Sequence, residues 1–260
     1  MPAFAANLSF LFQEHAFLDR FDAAAECGFP AVEYLFPYEH APEAIAAKLD
    51  QNGLIQALFN LPPGDWAAGE RGLAALPDRF EEVKAGVDQA LPYIEATEVG
   101  RVHLMAGIAD ARDPAAAIAY RRSVGYVAER LARIDVEVML EPINGRDMPG
   151  YFLNDFGLAE QVIAELALPN VKLQFDMYHR QIIHGDVTIA LQRLLPIVGH
   201  VQIASVPSRN EPDTEELNYP YLFQQLDLLG YEGFVGCEYR PRGKTRDGLD
   251  WFTSAGGRSA

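Results

Sequence analysis

Short apolar runs rich in Val, Ile, Leu and Phe alternate along the chain with longer segments in which apolar residues recur every three or four positions. Runs of the first kind, bounded by Gly, Pro and Asp, predict buried strands; segments of the second kind predict amphipathic helices. Strands are expected at residues 3–8, 31–36, 54–60, 101–105, 136–141, 171–176, 198–203 and 233–238. Helices are expected at 14–27, 41–51, 77–97, 114–133, 154–166, 187–195 and 219–229, with a last helical piece ending near Phe252. Pro42 near the start of the second helix and Gly28 just past the first suit helix starts and stops. Eight strand–helix units with no linker between them predict an α/β fold, a single (β/α)8 TIM barrel over residues 1–260 with a frayed tail from about 253.

Period-two alternation places residues on faces. Glu137, Met139 and Glu141 share one face of their strand, Lys172, Gln174 and Asp176 one face of theirs, and His200 and Gln202 one face of the next. The opposite faces are wholly apolar and belong under the helices, so the polar faces point into the barrel. Glu141, Asp176, Gln202 and Glu238 then stand at the C-terminal strand ends, where parallel barrels present their chemistry. Four oxygen donors without thiolate or imidazole suit one hard divalent ion, Mg²⁺ or Mn²⁺. The alternative is that each acid only caps the loop behind it, and the shared parity on four strands favours the common site. Deeper in the barrel, Lys172 is expected to pair with Glu137, because an unpaired buried polar group costs roughly 2–7 kcal/mol. His200 reads as a hydrogen-bonded interior histidine.

Charge narrows the function classes. Lys and Arg number 21 against 37 Asp and Glu, a net charge of -16, which opposes general binding to nucleic acid or an anionic membrane. No glycine-rich phosphate loop follows any strand. The start, MPAFAANLSFLFQEH, has neither a basic leader nor a long apolar run, so a cytoplasmic protein is expected. Cys27 and Cys237 read as reduced, buried, small apolar residues.

The runs FAANLSFLF, AVEYLFPY, LFNLPPGDWAAGERG, VHLMAGI, EPINGRDMPGYF, LQFDMYH, VGHVQIA, NEPDTEELNYPYLF and VGCEYRPRG resemble the hydroxypyruvate isomerase family, which includes 2-oxo-tetronate isomerases and belongs to the xylose-isomerase-like TIM barrels. The resemblance covers nearly the whole chain. It implies a single divalent metal at Glu141, Asp176, Gln202 and Glu238, with Glu141 and Glu238 exchanging protons with the substrate from opposite faces. His179, three after the metal aspartate, and Arg209, beyond the seventh strand, match substrate-contacting positions. The related epimerases carry a second acid six residues after the first metal glutamate, where Asp147 stands here.

The reaction implied is the shift of a carbonyl to the neighbouring carbon of a small keto acid, hydroxypyruvate to 2-hydroxy-3-oxopropanoate (tartronate semialdehyde), through an enediolate. A 2-oxo-tetronate isomerised to its 3-oxo form is the alternative within the family. The substrate carboxylate needs a cation, for which Arg146 and Arg209 are placed first, ahead of Arg240 and Arg242. Asn60 and Glu70 complete the expected substrate contacts, and the loop at residues 61–72 either covers the site or packs as surface. Two remoter readings are an abasic-site endonuclease-like protein and a sugar-acid binder without turnover. A homo-oligomer is compatible with the chain, with NEPDTEELNYPYLF as the candidate contact.

Overall fold

In the computed structural model, which describes residues 2–257, the apolar runs become strands β1 (Ala3–Asn7), β2 (Ala31–Tyr34), β3 (Ile55–Asn60), β4 (Arg101–His103), β5 (Glu137–Leu140), β6 (Val171–Asp176), β7 (Val198–Ile203) and β8 (Phe234–Cys237). They pair in parallel in chain order, and β8 closes on β1 through Ala3–Phe234 and Ala5–Gly236. The helices are α1 (Asp19–Glu26), α2 (Pro42–Asn52), α3 (Phe80–Thr97), α4 (Pro114–Leu131), α5 (Phe156–Leu166), α6 (Met177–Ile183), α7 (Val187–Leu194), α8 (Tyr219–Leu228) and α9 (Asp250–Ser254). No helix among the described residues is long and apolar enough to cross a membrane.

Capping explains where several helices begin. Asp113, Asp155 and Asn218 each accept a backbone N–H of the first turn behind them, satisfying donors that a helix start leaves open. Asp176 does the same for α6, a helix absent from the predicted elements because it follows β6 with no intervening loop. α1 starts at Asp19 rather than at 14, since Phe12 turns into the left-handed region at φ 57° and the chain to Asp19 makes tight turns. Thr253 and Ser254 are helical rather than frayed, Gly257 N donates to Phe252 O at 2.9 Å, and residues 258–260 lie outside the described residues.

The faces divide as the alternation predicts. Outward residues such as Val138, Leu140, Leu173, Phe175, Val201 and Ile203 are buried beneath the helices in the main core, each contributing about 1.5–3 kcal/mol of hydrophobic stabilisation. Inside the barrel, Ala5, Ala31 and Ala57 form a small separate cluster with Phe234, and their short side chains leave the space above them to Asn7, Glu33, Gln174, His200 and Gln202. Register slips between Val32 and Glu33 and between Leu173 and Gln174 re-aim side chains where this polar layer begins.

The expected Lys172–Glu137 pair does not form. Arg101 stands opposite Glu137 in register and takes it, Nε to Oε2 at 3.3 Å, whereas Lys172 stands opposite Met139. Lys172 lines a cleft of about 290 Å³ with both residues and makes no ion pair among the described residues. Both cysteines are free and buried, as expected.

Candidate active site

Glu141 follows β5 directly, is 4 % exposed, and its Oε1 has no hydrogen-bond partner. Asp176 ends β6 and divides its two oxygens. Oδ1 accepts from the backbone of Tyr178 at 2.7 Å and His179 at 3.4 Å, while Oδ2 is buried without a partner. Capping is therefore half of what this acid does. The orphaned oxygens face a common neighbour: His179 Nε2 lies 3.9 Å from Glu141 Oε1 and 3.7 Å from Asp176 Oδ2. Ligand-type atoms of the three residues fall within 4.8 Å of one another.

His179 was not among the predicted ligands, and its hydrogen bonding says how it takes part. Asn144 Oδ1 accepts from the backbone of Arg146 at 3.0 Å and of Asp147 at 2.9 Å, which turns Asn144 Nδ2 toward His179 Nδ1 at 2.7 Å. The Asn144 backbone N–H donates to the same Nδ1 at 3.3 Å. Burial, then the charge of Arg209, holds the imidazole pKa well below its usual range. A neutral ring whose Nδ1 accepts carries its proton on Nε2. His179 thus presents an N–H to the space between the two acids, which suits a substrate oxygen; ligating a metal through Nε2 needs the opposite tautomer.

Glu238, just past β8, completes the other wall. Its Oε1 accepts from Arg209 Nη2 at 2.6 Å and its Oε2 from Gln202 Nε2 at 2.6 Å. Gln202 turns its nitrogen, not its carbonyl, to Glu238, and its Oε1 accepts from Gln174 Nε2 at 2.7 Å. One lone pair of that carbonyl oxygen remains. Arg209 also pairs with Asp147, Nη1 to Oδ2 at 3.1 Å, and its guanidinium lies over the rings of Phe10 and Tyr178. Asp147 is further held by the Tyr178 hydroxyl at 3.2 Å.

Electrostatics mark the same residues. Burial, then the neighbouring charges of Glu238 and Asp176, pushes the Glu141 carboxyl well above the carboxylate range. Burial lifts Asp176 to about 6 and Glu238 to about 8, in each case against the pull of Arg209. His103, at the end of β4, lies 3.6 Å from Glu141 Oε2, but burial holds its pKa down to about 3, so the contact is not an ion pair.

Acids forced together in a dry pocket, with oxygens left unpaired, form a site that a divalent cation would complete. The group that could hold one is Glu141 and Asp176 with His179 beside them, whereas both oxygens of Glu238 and the Gln202 carbonyl already accept hydrogen bonds within the protein.

The other predicted residues are distributed differently. Arg146 is exposed, and its side chain has no partner among the described residues. Asn60 is 3 % exposed at the end of β3, beside His103 in register. Glu70 lies in the long loop, bound to Arg79 at 2.5 Å and to the Asp65 backbone at 2.6 Å. That loop is anchored rather than free: Gly72, at φ 108°, bridges Ala106 so closely that a Cβ would sit 2.3 Å from Met105 O. Only its tip, residues 65–69, is exposed, with the Arg71 guanidinium 3.9 Å from the Trp66 ring centroid.

Two residues with direct bearing on the site carried no role in the sequence reading. Glu33 had a signal, an acid inside the apolar run AVEYLF on the parity of Ala31. Asn144 is visible only through the turn that points its amide at His179.

A family model for the xylose isomerase-like TIM barrel matches residues 21–255. Among curated proteins, the chain is 54% identical over 260 residues to the 2-oxo-tetronate isomerase of Cupriavidus necator, covering 99% of this chain and 100% of that protein. It is 41% identical to the hydroxypyruvate isomerase of Escherichia coli K12, covering 97% and 98%. A solved structure from Brucella melitensis, described as AP endonuclease, family 2, superposes with a TM-score of 0.96 at 49% identity, covering 98% and 99%.

Proposed function

The chain belongs to the xylose isomerase-like TIM barrel family and is an isomerase of small keto acids, and from that premise we propose that it converts a 2-oxo-tetronate to its 3-oxo isomer. The observation that carries this reading is the pair of buried acids Glu141 and Glu238 on different walls, both with carboxyl pKa values raised by burial, beside the half-buried Arg209. One acid removes the proton from the hydroxyl-bearing third carbon, an enediolate spans the second and third carbons, the hydroxyl proton passes from the third carbon's oxygen to the second's, and the other acid returns a proton to the second carbon. A carboxyl raised above its usual range holds its proton more readily and can return it, and each such transfer is worth about 10²- to 10⁴-fold.

Four groups attend the reaction. Glu141, Asp176, Glu238 and Gln202 would hold a divalent ion, which when bound supplies positive charge that stabilises the developing enediolate. His179 Nε2–H donates to a substrate oxygen, oriented by Asn144. Arg209 takes the substrate carboxylate, with Arg146 at the rim and Asn60 at the inner wall as further contacts. Glu70 and the loop it braces limit water at the mouth.

Similarity favours the four-carbon acid through the 54% identical relative, named 2-oxo-tetronate isomerase, whereas of two 45% identical relatives one is named 2-oxo-tetronate isomerase and the other, from Homo sapiens, putative hydroxypyruvate isomerase. Hydroxypyruvate is the second reading, supported by the 41% identical Escherichia coli enzyme. The endonuclease description of the Brucella protein has little support here, because a charge of -16 opposes contacts to a phosphate backbone. The test is kcat/KM for both acids measured side by side with Mg²⁺ or Mn²⁺ present. A higher value for 2-oxo-tetronate supports the proposal; a higher value for hydroxypyruvate overturns the substrate, and turnover of neither overturns the isomerase reading.

A further inference from the structure

Below the reacting groups lies an acid that the proposed reaction does not use. Glu33, within β2, has no solvent exposure. Its Oε1 accepts from Asn7 Nδ2 at 2.9 Å and from Gln202 Nε2 at 2.8 Å, and its Oε2 lies 2.6 Å from His200 Nε2. Space for this carboxyl comes from β8: a Cβ on Gly236 would sit 2.3 Å from Oε2 and 2.4 Å from Oε1. Residues of β1, β2, β7 and β8 thus combine to hold one acid in one place.

The consequence falls on Gln202. An amide turned end for end keeps its shape, so only its neighbours decide which end is nitrogen. Here the two N–H bonds go to Glu33 Oε1 and Glu238 Oε2, and the carbonyl oxygen points to β6, the strand that carries Asp176. Turned the other way, the carbonyl oxygen would face two carboxyl oxygens. Glu238 is itself fixed partly by this N–H.

We propose that Glu33 is a positioning residue: held by His200 and Asn7 in the space left by Gly236, it locks the Gln202 amide, aiming the N–H at Glu238 and the carbonyl oxygen toward β6. The inference rests on the functional reading above, because the lock matters only if Glu238 moves a proton and the Gln202 carbonyl joins an ion site. Glu33→Gln weakens it, since an amide at 33 can offer Gln202 either end and leaves only Glu238 Oε2 and Gln174 Nε2 to set the orientation.

The test measures Mn²⁺ affinity by calorimetry without substrate, together with kcat and KM for 2-oxo-tetronate. Glu33→Gln is expected to weaken Mn²⁺ about 10- to 100-fold and to lower kcat by a similar factor, with KM changed less. His200→Gln, which keeps an N–H within reach of Oε2, is expected to lose less on both counts than His200→Leu. These two variants carry the test if Glu33→Gln does not fold. Wild-type Mn²⁺ affinity and kcat in a folded Glu33→Gln overturn the proposal, as do equal losses in the two His200 variants. A wild-type protein that neither binds Mn²⁺ nor turns over fails the functional reading before any variant is compared, whereas a competent wild type with an equally competent Glu33→Gln fails the positioning role alone.

Discussion

Two groups of buried acid occupy one barrel and are treated in opposite ways. On the floor, both oxygens of Glu33 meet polar partners, supplied by β1 and β7. At the mouth, Glu141 Oε1 and Asp176 Oδ2 have no hydrogen-bond partner among the described residues, and burial drives both carboxyls upward. A buried polar atom left unpaired costs about 1–3 kcal/mol, so a chain retains such atoms where something else engages them. On the proposed function, the unsatisfied oxygens of Glu141 and Asp176 are the ones open to substrate and ion, while Glu33, with every oxygen engaged, serves the frame.

The sharpest way to break this contrast is at the mouth. Glu141→Gln and Glu238→Gln are each expected to lower kcat by about 10²- to 10⁴-fold in a folded protein. A near-normal rate in either variant would remove that residue from proton transfer.

Next in size is the orientation of His179. Asn144→Asp replaces an N–H donor by an acceptor facing Nδ1, which draws the ring proton from Nε2 to Nδ1. Expected are a change of tautomer in the ¹⁵N spectrum of the ring and a kcat about 10- to 100-fold lower. An unchanged tautomer would show that the Asn144 contact does not set it.

A smaller effect concerns pH. Asp176 and Glu238 have folded-state pKa values raised to about 6 and about 8. Groups raised on folding favour the folded state at low pH, and that contribution is lost as pH rises through those values. With chelator present, Tm is therefore expected to fall between pH 5 and 9 by on the order of 5 °C. Mg²⁺ or Mn²⁺ should restore it, more at pH 8.5 than at pH 5.5, because the ion competes with protons. A shift equal at both pH values would contradict the assignment of these acids to the ion. Smallest of all, Glu70→Gln loosens a half-buried brace to Arg79 and is expected to raise KM slightly while leaving Tm nearly unchanged.

The division between frame and site was only half legible in the sequence. Alternation and strand-end acids place eight strands and bring Glu141 and Asp176 together, because both follow from period-two geometry and the direction of a parallel barrel. Pairing inside the barrel does not follow from local pattern. Which residue meets Glu137 depends on register, and Arg101 stands opposite it while Lys172 does not. Glu33 reaches His200 and Gln202 across the closed interior, after a slip at Val32. The His179 tautomer depends on a turn in which Asn144 spends its oxygen on two backbone N–H groups. α6 was hidden because Asp176 serves as strand end, helix cap and site acid at once.

The contrast between the two acid groups is tested most directly by Mn²⁺ calorimetry on the wild type and on a Glu141→Gln, Asp176→Asn double variant. One ion should bind the wild type and none the folded double variant. An unchanged stoichiometry and affinity in that variant would contradict it.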